Sequence, residues 1–216
     1  MNLDSKSPVR TQAMGKKPDF LFIYSVVCVP TNNYCHQIIL YSKMELGTPY
    51  FYTASIVDWV PLLQQEKFKL ILVKSLEYLI KKEKIRIYGF VIMPNHIHFI
   101  WENLALNGKE MPHASFMKFT GHQFLEELKK SNNELLPRFK VEDDSRDHQF
   151  WQRSALAIRL YDRKILEQKL DYLHLNPLQK HWNLVDDPNN YLYSSCSFYE
   201  QNDKRFKWLT DYRDVM

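Results

Sequence analysis

Between Pro49 and Asn176 the apolar residues switch between a period of two and a period near 3.6, and the order of those switches constrains the fold more than any single motif. PYFYTASIVDW, from Pro49 to Trp59, alternates and is rich in aromatic and β-branched residues, as a half-buried strand requires. Pro61 suits the first turn of a helix, where its missing N–H is harmless, and Phe68, Leu72, Leu76, Leu79 and Ile80 then recur at helical spacing towards Lys84. IRIYGFVIM (Ile85 to Met93) and HIHFIWE (His96 to Glu102) read as two strands around a Pro94-Asn95 turn. Phe116, Phe119, Phe124 and Leu128 predict a second helix over Pro112 to Lys130, and QFWQRSALAIRLY has room for a short strand. A third helix starts from Asp162 as N-cap, buries Ile165, Leu166, Leu170 and Leu173, and ends before Pro177, which biases Asn176 away from helical geometry. Residues 131–149 are polar, with Glu142, Asp143 and Asp144 in a run, and are expected to form a long exposed loop. The order β-α-β-β-α-(β)-α predicts an α+β fold, a small antiparallel sheet with helices packed on it.

Several kinds of chemistry are excluded. Five glycines are present, and no two are spaced to build a Rossmann or P-loop phosphate cradle, so no nucleotide cofactor is expected. No GxSxG elbow, HExxH helix or EF-hand loop occurs either. Three cysteines (Cys28, Cys35, Cys196) make no CxxC pair and no disulfide framework, which predicts a reducing cytoplasm. The longest apolar run, Phe20 to Val29, is about half of the ~20 residues a membrane helix needs. Residues 1–43 stand apart: the first nineteen are polar, basic and rich in Ser and Pro, and the rest lack a periodic partner, so they are expected to be an N-terminal extension to a domain over 44–216.

Two constellations could carry chemistry. In a strand His96 and His98 share a face, and two imidazoles so spaced can share one divalent ion, although HxH is equally the pattern of histidines satisfied by ordinary hydrogen bonds. In the third helix Tyr172 and Asn176 lie one turn apart on the same face. A carboxamide oxygen suits Mg²⁺ or Mn²⁺, so two His and one Asn form an incomplete shell with positions left for substrate oxygens. A phenol is a poor nucleophile until a cation or base lowers the cost of ionising it. The same region is basic. Arg153, Arg159, Arg163, Lys164, Lys169 and Lys180 face three acids, with Trp151, Tyr161, Tyr172 and Trp182 interleaved. Cations for phosphates and flat rings for bases are what a single strand of nucleic acid needs, and also what a solvated helix over an aromatic core looks like.

MPNHIHFIW, from Met93, resembles the His-hydrophobic-His motif of single-tyrosine (HUH) transposases, and DYLHLNPLQKHW, from Asp171, resembles the tyrosine helix of their REP-associated branch. FTGHQF, FWQRS and NNYLYSSCSFY follow in the family's order, so the resemblance covers about residues 49–200. It implies a ferredoxin-like sheet, Mg²⁺ or Mn²⁺ held by His96 and His98 with Asn176 completing the set, and Tyr172 as the nucleophile. It further implies cleavage of single-stranded DNA near an imperfect hairpin through a 5′-phosphotyrosine, and association in pairs in which the tyrosine helix can be exchanged between subunits. Asn176 followed by Pro177 departs from the Gln of many mobile relatives and matches the host-retained branch.

Two other readings use the same residues: a non-catalytic DNA hairpin-binding protein on this scaffold, and a metal-dependent hydrolase whose nucleophile is water. Tyr161 and Tyr191 are rival tyrosines without an amide at i+4. His113, His122, His148 and Gln123 are rival ligands or phosphate contacts.

Overall fold

The computed structural model describes residues 44–153 and 155–215, and the expectation for residues 1–43 lies outside them. A four-stranded antiparallel sheet organises the chain. Its strands are β1 (Pro49–Ser55), β2 (Ile85–Ile92), β3 (His96–Asn103) and β6 (Leu156–Arg159), in the order β2-β3-β1-β6. With α1 (Glu66–Lys81) between β1 and β2 and α2 (Pro112–Lys130) between β3 and β6, this is the β-α-β-β-α-β arrangement of ferredoxin-like folds. A third helix, α3 (Arg163–His174), follows, and a short α4 (Cys196–Gln201) lies near the C-terminus.

The pleat gives each face of the sheet its own core. Tyr50, Tyr52 and Ala54 of β1 and Ile97, Phe99 and Trp101 of β3 are buried with Phe68, Leu72 and Leu76 of α1 and Phe116, Phe124 and Leu128 of α2. The alternate residues Phe51 and Ile100 turn to the opposite face, where Leu166, Leu170 and Leu173 of α3 cover them. At about 1.5–3 kcal/mol for each fully buried large apolar side chain, these layers hold α1 and α2 against one face and α3 against the other. Asp162 caps α3 as expected, its carboxylate accepting the Ile165 N–H at 2.8 Å.

One glycine sets how closely α3 approaches. The β2–β3 register shifts between Ile87 and Gly89, a bulge at Tyr88, and a Cβ on Gly89 would stand 2.5 Å from Leu170 Cδ1 and 3.5 Å from Leu173 Cδ2. The outer edge of β2 is covered by the C-terminal segment: Ile92 N–H donates to the Tyr193 carbonyl and Ser195 N–H to the Phe90 carbonyl, each at 2.9 Å.

Three expectations are corrected. β1 ends at Ser55 rather than Trp59, because Val57–Trp59 wind into a 3₁₀ turn with Asp58 and Trp59 at φ 51° and 56°. Pro61 precedes a second 3₁₀ turn, Leu62–Gln64, and α1 begins only at Glu66. Residues 131–149 are not one loop: they hold a 3₁₀ turn (Leu136–Phe139) and a hairpin of β4 (Lys140–Asp143) and β5 (Arg146–His148). Phe139 anchors this segment, fully buried with its ring centroid 4.5 Å from that of Phe150. Of the two readings left open for Trp151, a ring for bases or core, it is core, and its Nε1–H donates to the Thr120 hydroxyl at 3.0 Å.

Candidate active site

His96 and His98 point from β3 to the face that α3 covers, and their ring centroids are 4.8 Å apart. Antiparallel register puts Thr53 of β1 directly opposite His98, and its hydroxyl meets His98 Nδ1 at 2.7 Å. Asn95, in the β2–β3 turn, meets His96 Nδ1 with Oδ1 at 2.7 Å. The amide of Asn95 is itself oriented, since its Nδ2 donates to the Trp59 carbonyl at 3.1 Å. Asn95 Oδ1 therefore accepts, the proton of neutral His96 sits on Nδ1, and the lone pair is on Nε2. The Thr53 hydroxyl can donate or accept, so its contact fixes the orientation of the His98 ring.

Burial decides the charge of the pair. It drives His96 down to about 4, against an upward pull from the Asn176 amide and a further downward push from His181. Burial also takes His98 well below the ordinary imidazole range, helped by the charges of His96 and Lys169. Both rings are neutral near pH 7, the state in which imidazole is a ligand.

Tyr172 arrives from α3 on the same side. Its ring centroid is 5.5 Å from that of His98 and 5.8 Å from that of Phe51, which stacks on His98 at 5.3 Å. Burial raises the phenol's pKa, while the Asn176 and Gln179 amides pull it back. Asn176 lies past the helix proper, in a 3₁₀ turn (Asn176–Leu178) after Leu175, and is 2% exposed. Its Nδ2 finds no hydrogen-bond partner. The turn forced by Pro177 thus swings a buried, incompletely satisfied amide between phenol and imidazole.

These donors suit a hard divalent cation. Burial lowers the His96 pKa, and the Asn176 amide lies close enough to the ring to offset part of that. Asn176 is buried with its Nδ2 unpartnered, and its amide oxygen, with the imidazole lone pairs, is the kind of donor that a hard cation would take. No group of three or more His, Cys, Asp and Glu side chains placed for a metal exists among the described residues, so a cation here would rest on two imidazoles and one amide. Such a shell leaves positions for other oxygens.

The six basic residues do not form one surface. Arg153 pairs with Asp143 at 2.7 Å, Arg159 with Glu45 at 3.2 Å and Arg163 with Glu167 at 2.9 Å, all on the exterior. Lys164 and Lys180 are exposed, whereas Lys169 is buried beside Tyr172. Trp182 stands 5.7 Å from His96 between ring centroids, with Trp59 at 6.3 Å on an edge. The rivals lie elsewhere. Tyr161 is 75% exposed, and Tyr191 donates its hydroxyl to the Ile92 carbonyl at 2.8 Å. His113 packs near Tyr52 on the opposite face of the sheet, His122 is exposed on α2, Gln123 bonds Glu126 on that helix, and His148 is in β5.

Thr53, Asn95, Gln179 and the flanking Trp59 were not singled out from the sequence, whereas Trp182 was, as one of the interleaved rings. Asn95 read as turn punctuation, and Thr53 becomes visible only once the β1–β3 register is known.

No protein-family model and no curated protein matches this sequence. Among solved structures the chain is similar to a REP-associated tyrosine transposase bound to a REP hairpin, with a TM-score of 0.51 and 16% identity over 78% of this chain and 86% of that one. At that identity the likeness is one of fold.

Proposed function

We propose that this chain is a single-stranded DNA transesterase of the single-tyrosine transposase type, with Tyr172 as nucleophile. The observation that carries the reading is the convergence, within one chain, of the Tyr172 phenol, two neutral imidazoles with oriented Nδ1 atoms, and the underpartnered Asn176 amide. The hairpin bound by the structural neighbour makes a hairpin-bearing single strand the substrate to try first.

His96, His98 and Asn176 would hold Mg²⁺ or Mn²⁺, which when bound supplies positive charge to offset a phosphate and to lower the cost of ionising a nearby phenol. The protein's own contribution is positional. Phe51 and His98 flank the Tyr172 ring and restrict its swing, so the oxygen is delivered in a narrow range of directions. Burial raises the pKa of the phenol, and Asn176 and Gln179 take back only part of that rise, so the charge of a bound cation would have to supply the rest. The phenolate oxygen attacks phosphorus, the bond from phosphorus to the 3′ oxygen breaks, and the departing oxygen takes up a proton in place of the one the phenol lost. The products are a 5′-phosphotyrosine and a free 3′-OH. Rejoining is the reverse, and because the bond energy stays in the phosphotyrosine, no nucleotide is consumed.

The test is incubation of the full chain with Mn²⁺ and a hairpin-bearing single strand labelled at its 3′ end, followed by a denaturing gel. A covalent protein–DNA band that disappears in Tyr172→Phe and persists in Tyr161→Phe is expected. An equal band from Tyr172→Phe rejects the nucleophile. Cleavage without any band favours water as the nucleophile, and binding without cleavage favours the hairpin-binding reading.

A further inference from the structure

Lys169 is out of place as an ordinary surface lysine. It lies on α3 one turn before Tyr172 and is 5% exposed, while the other five basic residues of the run from Arg153 to Lys180 stand on the exterior. Its Nζ sits 5.3 Å from the centroid of the Phe51 ring and 5.9 Å from that of Tyr172. No carboxylate and no hydrogen-bond acceptor among the described residues partners it, whereas Arg153, Arg159 and Arg163 each have an acid. An ammonium is not left this way without cost: two aromatic faces return part of the lost hydration, but none of its three N–H groups meets a lone pair. Burial accordingly lowers its pKa.

The surroundings say what would complete it. His98 is neutral, the Tyr172 phenol is neutral, and among the described residues no acid contributes to the electrostatics of Lys169, His98 or Tyr172. A carboxylate there would satisfy the lysine but repel any anion brought to the tyrosine. We infer that Lys169 is an anion contact for the phosphodiester that lies against Tyr172, taking its non-bridging oxygens, and is a different kind of group from the exterior cations. The inference rests on the reading of Tyr172 given under the proposed function and adds the residue that receives the phosphate's charge from the protein side.

The experiment is run without divalent metal, in chelator, so that it reads binding and not cleavage. Fluorescence anisotropy of a labelled hairpin-bearing single strand is followed across a KCl series for the full chain, Lys169→Met and Lys169→Arg, with a melting curve for each. Losing one phosphate contact on a single strand predicts weaker binding by severalfold or more and a salt slope, log K against log[salt], shallower by about 0.7 in Lys169→Met. Lys169→Arg restores the slope. Lys169→Met should also melt a few degrees higher than the parent, because it replaces an uncompensated buried charge with an apolar chain of similar length. A lysine that only packs against the rings would instead lower the melting point and leave the slope unmoved. Parent-like affinity and slope in Lys169→Met overturn the inference alone, while failure of the parent to bind any single strand overturns the DNA reading on which it rests.

Discussion

At the scale of single residues, the site is a problem of proton placement. His96 is useful as a ligand only if its proton is on Nδ1, and that is decided two groups away by the Trp59 carbonyl, which turns the Asn95 amide. Trp59 and Asp58 adopt left-handed backbone conformations that cost of order 1–3 kcal/mol each for non-glycine residues. The strain sits where it orients the first link of this relay. Asn95→Ala should therefore cost about 1–3 kcal/mol in stability by chemical denaturation and lower adduct formation about 10- to 100-fold, with DNA affinity in chelator unchanged. An equal loss of affinity would mean that Asn95 touches DNA instead. Cys196 poses a simpler proton question. Burial, with lesser pushes from Glu200, Asp187 and Asp171, raises its thiol to about 11. The folded pKa is above the ordinary value near 9, so the fold favours the neutral thiol; that stabilisation is whole below about pH 9 and fades towards pH 11. At pH 8 iodoacetamide should label Cys196 in the folded chain about a hundredfold more slowly than in urea, read by peptide mass mapping. Of all these groups, periodicity made His96 and His98, and Tyr172 and Asn176, legible as pairs able to share a face, while the roles expected of them came from the family resemblance. Thr53 and Asn95 were not, since their partners depend on register and on the direction of a turn.

At the scale of elements, the helix that carries Tyr172 is placed by what β2 lacks. Gly89 at the Tyr88 bulge removes the Cβ that would strike Leu170, so α3 settles close enough for its phenol to reach the imidazoles of β3. Gly89→Ala should destabilise the chain by about 1–3 kcal/mol, towards the low end because the atom struck is the tip of a leucine that can rotate. It should also lift α3 and reduce adduct formation more than the stability loss explains. The check is a denaturation curve beside a gel assay under conditions where the variant remains folded, and full activity in a folded Gly89→Ala would show that α3 takes its position from Asp162 and the leucine stripe alone. Patterning foresaw α2 to the residue and α3 with its cap, because long amphipathic stripes with a clear start signal leave little choice. It failed at β4 and β5. That ribbon has no buried face, its residues are mostly polar, and the buried ring of Phe139 precedes it instead of alternating within it, so no alternation marks it as sheet.

At the scale of the molecule, the two faces of the sheet have separate work. One is an aromatic core under α1 and α2, and the other gathers every group of the proposed chemistry beneath α3. The α+β class was legible because the switches of period mark strands and helices in turn, whereas the ferredoxin-like sheet was implied by the family resemblance and not by the pattern. The exterior was not, because charge counting over residues 151–181 could not foresee that three of six cations would be spent on Asp143, Glu45 and Glu167. A net charge of +4 across the chain is therefore a poor measure of what remains for a polyanion. The more consequential feature is that Tyr172 reaches His98 within one chain, without a helix from a second copy. This arrangement makes a prediction about mixtures. Tyr172→Phe lacks the phenol and His96→Ala lacks an imidazole, so each alone should form no covalent adduct. If the site closes within a chain, an equimolar mixture of the two variants stays inactive after co-refolding. If tyrosine helices are exchanged between subunits, some assemblies regain an intact phenol beside an intact imidazole pair, and the band returns at up to about a quarter to a half of the parental intensity, by the statistics of random pairing. Silence from the mixture, with each variant folded and binding DNA in chelator, is the expected outcome, and recovery would show that the active assembly trades the helix seen here docked on its own sheet.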